Sequence, residues 1–197
     1  MRMPGRRGGG APVDWLIVGL GNPGAEYKGS PHNIGFEVAV RLNQRWDLGK
    51  PKAKYRGLLT EGRTGIGPGH QRVAILMPQT YMNEAGQSVG PARGDLKVDL
   101  ERLLVIHDEI DLPFGDIRTR VGGGLAGHNG LKSLKASLGS ADFHRVRVGV
   151  GRPPTTDPER VAAYVLGKFR EPKADVEALI DHAADAAERV IQDAPDR

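Results

Sequence analysis

The chain has 197 residues, enough for one sizeable hydrophobic core and more consistent with one domain than with two. It contains no cysteine, which excludes a disulfide framework, a thiolate zinc site and a cysteine nucleophile together. Its net charge of +4 says little as a total, because Arg2, Arg6 and Arg7, with no acid among residues 1–13, supply +3 of it.

Residues 1–13 are Gly/Pro-rich and basic, and are expected to form a disordered tail ahead of a domain over residues 14–197. Trp15–Leu20 is a short apolar run that reads as a buried strand. Ile34, Val38, Leu42 and Trp46 recur four apart, which predicts an amphipathic helix over Ile34–Trp46. Arg56–Glu61 and Val73–Met77 read as strands of a long hairpin joined through a Gly-rich connection at residues 62–70. A helix is expected over Glu84–Gly90, and a second buried strand over Leu103–His107.

Asp116–Val121 alternates Ile117 and Val121 with Arg118 and Arg120, and Arg145–Val150 alternates arginines with valines. Both read as strands with one basic face. Between them a Gly-rich loop, residues 122–127, opens onto a helix over Asn129–Leu138. Helices over Pro158–Leu166 and Pro172–Gln192 close the chain. Strands alternating with helices predict an α/β fold: a single three-layer domain with a mixed twisted sheet flanked by helices. No apolar stretch approaches the length of a membrane span and no secretory apolar segment follows the start, so a soluble cytoplasmic protein is expected.

The charges are unevenly distributed. Residues 116–152 hold seven basic and two acidic side chains, residues 41–63 the same numbers, and residues 157–197 six and ten. A body polarised in this way can present a positive face to a polyanion.

Polar residues gather at the predicted turns. Asn22 stands in Gly19-Leu-Gly-Asn-Pro-Gly24, which matches the spacing of a dinucleotide loop but carries Pro23 where an amide donor is needed. The alternative is a rigid turn aiming Asn22 over the sheet edge. His32 precedes a helix, with Asn33 as its expected N-cap, a position that lowers an imidazole pKa and keeps a base neutral. Asp108 ends a buried strand, where α/β enzymes place working groups. The Asp-rich turn His107-Asp-Glu-Ile-Asp111 does not read as a metal site, because adjacent strand residues point to opposite faces. The loop over Gly122–Gly130 offers free amides to an anion but lacks the Lys-Ser/Thr ending of a nucleotide-hydrolysing loop. A His–carboxylate pair with neutral amides suits hydrolysis of an ester or amide on a peptide-like substrate.

Taken in order, Gly19-Leu-Gly-Asn-Pro-Gly24, His32-Asn33, Thr80-Tyr-Met-Asn83, His107-Asp-Glu-Ile-Asp-Leu-Pro113, the Gly-rich loop with Gly127-His-Asn-Gly-Leu-Lys132, and Phe143–Gly151 resemble the bacterial-type peptidyl-tRNA hydrolase family. The resemblance covers about residues 15–190 and implies a monomeric, cofactor-free hydrolase, with no metal, that cleaves the ester between peptide and tRNA. By matching position it implies His32 as base, Asp108 as its orienting partner, and Asn22, Asn83 and Asn129 as substrate-positioning amides, Asn22 within the catalytic group. Tyr27 and Met82 resemble cleft-lining residues, Gly127 and His128 their neighbouring loop, and Arg120 and Arg147 positions that contact tRNA. From the chain itself, Tyr81 beside Asn83 is expected either to line the same cleft or to pack in the core, and Lys132, on the helix after the Gly-rich loop, to meet tRNA. Ser30-Pro31 stands where the family commonly has Thr-Arg, which removes a charge beside the base. The competing expectation is a non-catalytic RNA-binding protein on the same fold, as in relatives that act in RNA splicing.

Overall fold

Apolar strands and helices with one apolar stripe stack into three layers in the computed structural model, which describes residues 12–65 and 70–196. Seven strands form one sheet: β1 (Trp15–Gly19), β2 (Lys52–Lys54), β3 (Gly57–Arg63), β4 (Arg72–Pro78), β5 (Leu103–Glu109), β6 (Ile117–Val121) and β7 (His144–Gly149). Their order is β2-β3-β4-β1-β5-β7-β6. The central four, β4-β1-β5-β7, run parallel, while β2, β3 and β6 join antiparallel, so the sheet is mixed as the sequence predicts.

Alternation along each central strand divides the core. Trp15, Ile17, Ile75, Leu104, Ile106, Val146 and Val148 pack under α1 (Ile34–Trp46) and α5 (Lys173–Asp193). Leu16, Val18, Leu76, Leu103 and Val105 pack under α2 (Gly86–Asp95) and α3 (Asn129–Leu138). The fourth helix, α4 (Pro158–Leu166), has no fully buried residue and rests beside the short turn Pro31–Asn33.

Most element boundaries agree with the sequence reading within two residues, with two informative exceptions. The expected helix start at Glu84 is taken by a 3-10 turn, Met82–Glu84, and α2 begins at Gly86, running through Pro91 to Asp95. The short edge strand β2 has no apolar alternation to reveal it; all three residues are exposed and two are lysine, a composition that discourages edge-to-edge pairing. Residues 1–11 of the expected tail lie outside the described residues, but Val13, assigned to that tail, is buried in the core.

The glycines of the first loop are packing residues. A Cβ on Gly19 would lie 2.2 Å from the Gly35 carbonyl oxygen, and one on Gly21 would enter the Phe36 ring. This close approach seats the start of α1, and with it the preceding His32 turn, directly on the ends of β1 and β5.

Candidate active site

Asp108 is a carboxylate with almost no solvent and two imidazoles upon it. It lies on β5, side chain 3% exposed, and receives His32 Nδ1 at 2.9 Å on one oxygen and His128 Nε2 at 2.8 Å on the other. Burial alone would raise its pKa, but the two rings outweigh that effect and hold it well below the usual carboxylate range. An ionised carboxylate only accepts, so both facing ring nitrogens carry protons.

His128 is locked in that tautomer from its other side. It is the N-cap of α3, and its Nδ1 accepts from the backbone N–H groups of Gly130 (3.1 Å) and Leu131 (3.3 Å). Histidine rarely serves as a cap, so nothing in the local sequence signals this role. His32, Asp108 and His128 bring three ligand-type atoms within 4.8 Å of one another. A metal would need the His128 Nε2 lone pair, whereas the two backbone donors keep the ring proton on that atom. Behind them His107 is fully buried, donates from Nδ1 to the Asp108 carbonyl (2.8 Å), and has its pKa lowered to about 3, chiefly by burial and then by His128.

The His32 pKa departs from the sequence expectation. A position before a helix predicts a lowered value, and burial does act in that direction, but the charge and hydrogen bond of Asp108 together overcome it, so the pKa is raised. With Nδ1 committed to Asp108, Nε2 is the atom left to accept a proton.

Asn33 is also not the side-chain cap expected of it. Its carboxamide makes a reciprocal pair with the Asn22 backbone, accepting from Asn22 N (2.8 Å) and donating to Asn22 O (3.0 Å). Asn22 in turn accepts the Met82 N–H on Oδ1 at 2.7 Å. These bonds tie the first loop, the His32 turn and the Tyr81–Asn83 turn into one unit, and leave Asn22 only Nδ2 as a donor. Asn22 and Met82 are buried, Asn83 and Tyr81 exposed, and Tyr27 half-buried on the loop leading to His32.

A cavity of about 90 Å³ opens at His32 and Asp108, with Gly127, His128, Asn129 and the α4 residue Val165 around it. Val165 was invisible to sequence reasoning because only the packing of α4 against the Pro31–Asn33 turn brings it there. A larger cavity, about 780 Å³, lies at the opposite end of the strands around Arg102, Val121 and His144. It contains none of the residues tied to His32, so its size does not make it the site.

The arginines divide by role. Register pairs Arg118 with Arg147 and Arg120 with Arg145, placing all four on one face of β6 and β7. Arg145 is buried and holds the Gly-rich loop by donating to the carbonyls of Gly122 and Gly124. Arg147 is partly exposed and pairs with buried Glu109 at 3.4 Å. Arg118, Arg120 and Lys132 are exposed.

An open α/β sheet with its polar loops gathered at the carboxyl ends of parallel strands is the frame of an enzyme. Residues 16–197 match the family model described as peptidyl-tRNA hydrolase, and the chain belongs to that family. It is 47% identical to peptidyl-tRNA hydrolase from Halalkalibacterium halodurans over 88% of this chain and 91% of the relative. It is 44% identical to that from Streptomyces coelicolor, over 92% and 90%. The crystal structure of peptidyl-tRNA hydrolase from Acinetobacter baumannii superposes with a TM-score of 0.77 at 38% identity, covering 91% of this chain and 88% of that one. Among the described residues no helix is long and apolar enough to cross a membrane.

Proposed function

We propose that this chain hydrolyses the ester of peptidyl-tRNA through a water activated by His32. The observation that carries the mechanism is the His32–Asp108 pair, in which Nδ1–H is held by a buried carboxylate and Nε2 is left as the base. Nε2 takes a proton as the water oxygen bonds to the ester carbonyl carbon. The imidazolium, stabilised by Asp108, then returns that proton to the departing ribose oxygen. The products are a tRNA hydroxyl and a peptide carboxylic acid, which loses its proton to solvent to become the carboxylate, and no covalent enzyme intermediate forms.

The amides divide the remaining work. Asn22, with only Nδ2 free to donate, supports the developing oxyanion; Asn83 and Asn129, both exposed, meet the peptide backbone. Tyr27, Tyr81 and Met82 line the path of the peptide. In this reading the chain acts as a monomer, in the cytoplasm where its substrate arises.

Asn22→Asp and Asn83→Asp test the amides, because each exchanges an NH₂ donor for an acceptor while nearly preserving shape. Loss of one oxyanion donor is expected to lower kcat about 10²–10³-fold for Asn22→Asp. Asn83→Asp is expected to lose at least as much turnover as Asn83→Ala. Wild-type rates in both Asp variants would reduce these residues to turn formers.

Arg120, Lys132 and Arg147 are assigned to the tRNA phosphates. Arg120→Ala is expected to raise KM for peptidyl-tRNA, to flatten its salt dependence by about one unit of slope, and to spare a short peptidyl-nucleotide. Arg147→Ala also removes the ion-pair partner of buried Glu109, so it is expected to slow both substrates. If wild-type protein cleaves the two substrates equally well, tRNA recognition drops out of the reading.

A further inference from the structure

The hairpin turn between β2 and β3 has an unusual backbone for its sequence. Lys54 pairs with Gly57, so Tyr55 and Arg56 form a two-residue loop, with φ of 55° and 50°. Those are positions that glycine and asparagine ordinarily occupy in such turns. Strained positions of this kind persist where surrounding contacts enforce them, and they concentrate at binding sites.

The contacts here are specific. Tyr55 Oη donates to Asp95 at 3.2 Å and Arg56 donates from Nη1 to Gln87 Oε1, both partners being on α2. The Arg56 carbonyl accepts the Gln79 N–H at 2.9 Å, which clamps the turn to the segment carrying Tyr81, Met82 and Asn83. Arg56 is exposed, its side-chain hydrogen-bond partner is a neutral amide, and among the described residues it forms no ion pair with a carboxylate. Tyr81 is 60% exposed on the same segment.

Sheet order gives this turn a direction relative to the ester. The basic face of β6 and β7 lies on one side of β5, and the turn lies on the other, beyond β1 and β4. If tRNA lies over β7 and β6, the peptide leaves across β1 and β4 toward Arg56. Three inter-strand steps of about 4.8 Å separate β5 from β3, roughly 14 Å, which an extended peptide crosses in about four residues.

We propose that Arg56, together with Tyr81 on the segment it clamps, forms a peptide subsite that favours an acidic side chain about four residues from the ester. The proposal rests on the hydrolase reading above and adds a selectivity to it. Tyr81 presents an aromatic face to the chain, and Arg56 supplies the charge.

The test uses the full chain and N-acetylated tetrapeptidyl-tRNAs with Glu, Ala or Lys farthest from the ester and alanine elsewhere. N-acetyl-alanyl-tRNA, too short to reach the turn, is the reference. Wild-type protein is expected to favour Glu over Lys by roughly two- to fivefold in kcat/KM, through KM, as befits one exposed charge pair. Arg56→Asn, which suits a positive φ, should flatten the preference, and Arg56→Glu should reverse it. Equal Glu/Lys ratios in wild type and Arg56→Glu would overturn the subsite. So would an equal loss on all four substrates in Arg56→Asn, which would make the turn a scaffold only. Failure of wild-type protein to cleave even N-acetyl-alanyl-tRNA would instead remove the hydrolase reading itself.

Discussion

Replacing His32 with alanine is expected to lower turnover about 10²–10⁴-fold while the protein remains folded. The side chain sits in a loop turn outside both core clusters, and its one strong bond is to Asp108. The pH profile provides the sharper test. A general base works only when deprotonated, so kcat/KM rises with pH through the His32 pKa. Burial tends to lower that pKa, but the Asp108 charge and hydrogen bond raise it overall, so the ascending limb should lie above the ordinary imidazole value. Retention of more than about a tenth of wild-type turnover by folded His32→Ala would reject His32 as the base.

Asp108→Asn is expected to be at least as damaging, with kcat falling by roughly 10⁴-fold, the scale seen when a histidine base is held in the wrong tautomer. The reasoning depends on His128. Its Nδ1 is committed to two backbone donors, so it continues to present Nε2–H and takes the single amide oxygen of the new side chain. The amide NH₂ is then left facing His32 Nδ1, which must become an acceptor, and the His32 proton moves to Nε2, where the base is needed. His128→Ala distinguishes this account from a simple loss of charge. It frees the amide oxygen for His32, so Asp108→Asn combined with His128→Ala should recover turnover relative to Asp108→Asn alone. Identical rates in the two would show that carboxylate charge, and not tautomer, governs the site. Thermal unfolding measured in parallel separates both from loss of fold, since His128→Ala also removes the α3 cap.

Much of this arrangement was already legible in the chain. Fourfold spacing of apolar residues located α1, and the Gly-rich and Pro/Thr loops ahead of them located the starts of α3 and α4. Runs of apolar residues located the parallel strands, and alternation gave β6 and β7 one basic face each; only the register brings those two faces to the same side of the sheet. Of the turn-framed polar residues, the structure brings His32, Asp108 and Asn129 around one cavity, and six ordered blocks pointed to the family to which the chain belongs.

Tertiary structure decided what could not be local. The direction of the His32 pKa shift depends on a carboxylate 76 residues away, while the local sequence around His32 offered only the nearby helix. Asn33 serves Asn22 and not its own helix, and Asn22 spends one end of its amide on Met82, because three loops distant in sequence meet above β1 and β5. Arg145 and Arg147 look alike along the strand, yet one supports a loop and the other pairs with Glu109. Local patterns set which face of an element is apolar; only the packed sheet sets which polar groups come within hydrogen-bonding distance, and that determines both charge state and role.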